Sequence, residues 1–143
     1  MYAVLKSSHS YLAWIALLLI IIAIVISGIS FLKKSNFEKS NFKIALFALI
    51  AIHVQLLVGL ILYFVSPNGF SNVSGATMKD SFSRLLAVEH PFINILAIII
   101  ITIGYSKAKK LIPSSNSGKV VFIYYGIGLI LLLSRIPWNS WLG

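Results

Sequence analysis

Four long apolar stretches, separated by short polar ones, dominate the chain. They run over about Tyr11–Leu32, Ile44–Val65, Leu85–Tyr105 and Val120–Ile136. A membrane-spanning helix needs roughly 20 mostly apolar residues, so three of the stretches are long enough and the fourth is close. The segments between them carry turn chemistry. Lys33–Asn41 is a short polar loop, Ser66-Pro67-Asn68-Gly69 opens a longer one, and Pro113–Gly118 is rich in serine. Thr77-x-x-Asp80 has the spacing of a capping box just before the third stretch. Trp138 and Trp141 come after the last stretch as interfacial anchors. The pattern predicts an all-α fold: one integral membrane domain over residues 1–143, built as an antiparallel four-helix bundle. The first apolar run is too long for a signal-peptide core and lacks a small-x-small cleavage site, so it reads as a retained span.

Small and polar positions mark the faces that pack, because lipid gives no hydrophobic drive for helix association. In the first helix they are Ala13, Ala16, Ala23 and Ser27, continuing from His9. In the third they are Ser83, Ala87, His90, Asn94, Ala97 and Gly104. In the fourth, Val121, Tyr124, Gly128 and Arg135 share a face. The second helix has two candidate faces, Ala48-Gln55-Gly59-Tyr63 and a separate one carrying His53.

Composition supports this picture. Of the 143 residues 59% are hydrophobic and 10% charged, against about 25% charged in soluble domains. The net charge of +9 would point to nucleic acid in a soluble protein. Here no basic face can be drawn, and nucleic acid is excluded as a partner. The charge is topological instead. Eight of the twelve Lys and Arg residues flank or fill the first and third loops. Cytoplasmic loops collect such residues, so those loops are expected in the cytoplasm, with both termini on the outer side of the membrane. No cysteine is present, which rules out disulfides, iron–sulfur clusters and c-type haem attachment. Three acidic residues are too few for a di-metal carboxylate site, and no nucleophile triad is visible. Whether the chain is an enzyme is left open. A transporter would need paired broken helices, and none is visible.

Chemistry must then come from polar residues inside the apolar runs, where they are costly and signal function. These are His53, Gln55, Glu89, His90, Asn94 and Arg135, with His9 at the head of the first run. All three histidines lie at or in the membrane. Neutral imidazole needs a partner at each ring nitrogen, and haem iron, held between facing bundle helices, is one such partner. Interhelical hydrogen bonds that fix packing are another, and a proton or quinone site a third. At 1.5 Å per residue, His53 lies about 18 Å below the outer end of its helix. His90 matches that depth if the third helix starts near Thr77. If it starts at Leu85, His9 and His90 become the closer pair. Pro91 removes a backbone donor and should free the Ala87 carbonyl, helping to aim His90. Arg135 is placed to neutralise a haem propionate or to pair with Glu89.

The segments His9–Trp14, His53–Phe64, Met78–Ser81, Val88-Glu89-His90 and Ile136-Pro137-Trp138 resemble a family of small four-helix Bacteroidota membrane proteins often labelled cytochrome b. There is a weaker likeness to the haem A synthase and cytochrome b561 type of bundle. The chain departs from the synthase pattern, since Glu89 directly precedes His90 in place of a spaced Glu-x-x-His-Arg. The resemblance implies a membrane-integral protein binding haem b and transferring electrons. His53 and His90 would be the axial, metal-binding ligands, with His9 as the substitute and Arg135 on a propionate. Implied partners are the lipid bilayer and a quinol or a larger respiratory complex. The alternative is a cofactor-free structural or assembly subunit of a membrane complex.

Overall fold

The computed structural model describes residues 1–142, and these contain helices and turns but no strand. The long helices are α1 (Tyr2–Leu32) and α2 (Lys39–Val65). A surface segment comes next, with α3 (Gly75–Lys79). Then α4 (Ser81–Arg84), a π-helical turn (Leu85–Glu89) and α5 (His90–Lys109) run on as one rod. The chain ends in α6 (Ser115–Ser134) and the short α7 (Trp138–Leu142). Four helices are long and apolar enough to cross a membrane.

Each long helix begins before its apolar stretch, because polar ends still satisfy backbone groups within the helix or through caps, and the fourth ends at Ser134, short of the expected Ile136. The start of the third rod shows this. Thr77 is not its cap: it lies inside α3, whose cap is Ser74. Asp80 caps α4 instead, accepting the Ser83 N–H at 2.8 Å. The Ser83 side-chain hydroxyl first, and this backbone N–H second, hold the Asp80 carboxyl below its ordinary pKa, since both favour the charged form. Ser114 caps α6 through the Asn116 N–H.

The bundle closes as a ring in which α1 packs on α2 and α6, and α5 on α6 and α2. Small residues bring the helices together. Ala16, Ala23, Ala45, Ala48, Ala97 and Ala108 are all nearly or fully buried. Gly128 of α6 takes the Ile101 side chain, and Gly104 of α5 takes the Tyr124 ring, so closely that a Cβ at either would collide. Tyr124 thus packs against α5, as its stripe predicts, and its neighbour Tyr125 is fully buried. Its hydroxyl donates to the Ala45 carbonyl at 2.7 Å. Phe37, in the first loop, is buried and its N–H bonds the Pro113 carbonyl at 2.8 Å. The first and third loops therefore meet at one end.

The outside of the bundle is apolar. Leu57 is 62%, Phe92 65% and Ile130 68% exposed. Large aliphatic and aromatic side chains face outward along all four long helices, while alanine, glycine and serine fill the contacts. This inverts the usual arrangement of a water-soluble bundle.

Candidate functional site

Four of the polar residues of the apolar runs, His9, Gln55, His90 and Asn94, gather at the end of the bundle opposite the first and third loops. His9 of α1 and His90, the first residue of α5, bring their ring centroids to 6.3 Å with planes at 81°. Gln55 of α2 donates from Nε2 to the His9 carbonyl at 2.8 Å, which fixes its amide, and the same nitrogen lies 3.5 Å from His9 Nε2. Gly59, one turn further along α2, faces the edge of the His9 ring, and a Cβ there would lie 3.0 Å from His9 Cε1.

Backbone geometry sets the position of His90. Proline has no N–H to return to the carbonyl four residues back. For Pro91 that carbonyl belongs to Ala87, and the Tyr63 hydroxyl takes it at 2.9 Å. The ladder of hydrogen bonds widens here into the π turn, where the His90 N–H reaches the Leu85 carbonyl. The freed Ala87 carbonyl, expected from Pro91 alone, thus has a partner on α2. His90 Nδ1 donates to the Arg135 carbonyl at 2.7 Å. A carbonyl only accepts, so the proton sits on Nδ1 and Nε2 keeps the lone pair. Asn94 Nδ2 lies 3.0 Å from that Nε2.

A cavity of about 820 Å³ opens beside this cluster and is lined by His9, Gln55, His90, Asn94 and Lys6. Three buried atoms of the cluster lack a partner: His9 Nδ1, Gln55 Oε1 and Asn94 Oδ1. Buried polar atoms are rarely left so, and each one calls for an explanation.

Arg135 does not line the cavity. Its guanidinium sits 3.2 Å from Glu89, whose other oxygen holds Arg84 at 2.8 Å. His53 is also elsewhere. Its Nδ1 bonds the Leu49 carbonyl of its own helix at 2.8 Å. The ring faces a separate groove of about 310 Å³ between α2 and α5, lined by isoleucines and Thr102. The rod of α4 and α5 starts at Ser81, so His90 is about 14 Å along it. That is short of the depth of His53, and His9 is the histidine brought to His90. Lys6 was not among the residues expected at a site. Its position three before His9 on the same helix is the signal that was available.

Among the described residues no three or more His, Asp or Glu side chains group as a metal site. Two axial histidines are all that haem requires from the protein. The donor atoms that could hold such a group are the unpartnered His9 Nδ1 and His90 Nε2, on rings whose centroids lie 6.3 Å apart.

Comparison of the chain with protein-family models, curated proteins and solved structures finds no match. Function therefore has to come from the site itself.

Proposed function

We propose that the chain is an integral membrane protein that holds one b-type haem between His9 and His90 and serves in electron transfer. The observation that carries this reading is the histidine pair at 6.3 Å beside a cavity of about 820 Å³. The apolar exterior supports the membrane setting: side chains such as Leu57 and Phe92 would be costly in water and are at home in lipid. In this reading the four helices cross the bilayer antiparallel to one another. The first and third loops lie in the cytoplasm with their eight basic residues. Both termini and the histidine pair then lie toward the periplasm of a bacterial inner membrane.

Bound haem would supply reversible one-electron chemistry. The protein's part is to hold and tune it. His90 offers Nε2, and its Nδ1–H on the Arg135 carbonyl makes the ring a better donor, as hydrogen bonds of this kind do for metal-bound histidine. Asn94, now beside Nε2, would give up that position. Lys6 lines the cavity and would face the propionates, while Arg135 and Arg84 stay with Glu89. Electrons would pass to or from a membrane quinol or a larger respiratory complex.

A second reading is a cofactor-free assembly subunit. It draws on the protein partners that His90 already has in the Arg135 carbonyl and Asn94. The three unpartnered atoms at the cavity weigh against it, since a network built only for packing should be satisfied. Titrating purified haem-free protein with haem separates the two. The haem reading expects a saturable complex with one haem per chain, lost in His9→Ala and in His90→Ala. Absence of saturable binding in folded protein would leave the assembly subunit.

A further inference from the structure

We propose that Tyr63 is a positioning residue for His90, acting through the Ala87 carbonyl. Three observations meet at this point. Pro91 cannot supply the N–H that would bond Ala87. The Tyr63 hydroxyl supplies a donor from the neighbouring helix at 2.9 Å. The turn this bond braces is π-helical and ends directly at His90. Single π turns inside α-helices occur often at functional sites, where the extra residue re-aims the side chains beyond it.

With the hydroxyl in place, the Ala87 carbonyl points to α2 and the π turn is satisfied. Without it, a carbonyl in the apolar interior loses its partner, and the turn gains by rewinding toward other donors. Rewinding changes the rotation of α4 relative to α5. The His90 ring, held at its far side by the Arg135 carbonyl, is displaced with it. Tyr63 also packs its ring against Phe64 and Phe70, so loss of the hydroxyl alone leaves the packing intact. That His90 is aimed at a haem rests on the reading above; the bracing of the turn does not.

The test uses the full chain in detergent, with Tyr63→Phe, Pro91→Ala and the double variant. The alanine at 91 restores an N–H for the Ala87 carbonyl, so the hydroxyl becomes redundant. In haem-free protein, nitrogen NMR of the His90 imidazole should shift in Tyr63→Phe and return toward wild type in the double variant. In haem-loaded protein, affinity should fall by about 10-fold or more in Tyr63→Phe, the usual cost of losing an outer support of a metal ligand. It should recover in the double variant. Unchanged His90 signals in Tyr63→Phe would overturn the proposal, as would a shift that Pro91→Ala does not rescue, because a packing role of the ring gives no such rescue. If wild type takes up no haem, the haem reading falls, and the NMR arm alone decides the role of Tyr63.

Discussion

Each interior polar side chain has to be explained by what it touches. His9, Gln55, His90 and Asn94 explain one another, and three of their buried atoms are unpartnered. His53 is explained by its own helix, through the Leu49 carbonyl. His9→Ala and His90→Ala should therefore abolish haem uptake, and His53→Ala should leave it within a few-fold of wild type in the same titration. Lys6→Ala should weaken uptake by about tenfold, the worth of one charged hydrogen bond, with a smaller effect of raising salt in the variant than in wild type. Arg135→Ala should act more on stability, through Glu89. Much of this cluster was legible in the sequence, because a polar residue in an apolar run declares itself. Gln55 as a bridge between helices and the freed Ala87 carbonyl come from residue type and spacing, whereas Asn94, expected to bridge helices as well, contacts His90 of its own rod. Which histidines pair was not legible, since depth depends on where the third rod begins. That start is set by Asp80 and Ser83, a cap that lies outside the apolar pattern.

At the level of single elements, caps and close contacts decide where helices start and how they meet. Asp80 holds the start of α4 with its charged carboxylate. Its pKa is lowered in the folded protein, so its contribution is present above the ordinary carboxylate pKa and is lost as pH falls through the lowered folded value. Hydrogen exchange at the Ser83 amide should be protected at neutral pH and lose that protection in acid. Asp80→Ala should remove the protection at neutral pH already. In the bundle, Tyr125→Phe removes the interhelical bond to the Ala45 carbonyl, which the hydroxyl now reaches at 2.7 Å and which keeps its partner within α2. The expected cost is about 0.5–1.5 kcal/mol in reversible detergent unfolding. Gly128→Leu should separate α5 from α6, because Ile101 occupies that space. The small-residue stripes predicted the packed faces well. Tyr124 packs where its stripe places it, whereas the burial of its neighbour Tyr125 was not legible, because the helix rotation is known only from its periodicity.

For the whole molecule, the apolar exterior and the basic loops act together. The first and third loops meet through Phe37 and the Pro113 carbonyl, and eight of the twelve basic residues flank them. The chain has no cysteine, so single reporters can be added without background. A cysteine at Ser35 or Ser114 should be shielded from a membrane-impermeant thiol reagent in intact cells. One at Asn68 or Ser140 should react. The reverse pattern would invert the proposed topology and move the histidine pair to the cytoplasmic side. The four long helices and the all-helical character were readable from the apolar pattern, whereas the short α3, α4 and α7 were not. The cavity was not, because the space left at one end depends on how side chains such as Trp141, stacked on Trp14 and bonded to Ser10, close over it. The proposed function stands or falls on this end of the bundle holding haem between His9 and His90. The decisive experiment is the reduced-minus-oxidised absorption spectrum of protein purified in detergent from haem-supplied cells, beside His9→Ala, His90→Ala and His53→Ala. A b-type α-band is expected in wild type and His53→Ala, with its loss in the other two. A flat spectrum from folded wild type, or a band that survives both His9→Ala and His90→Ala, would contradict the haem reading.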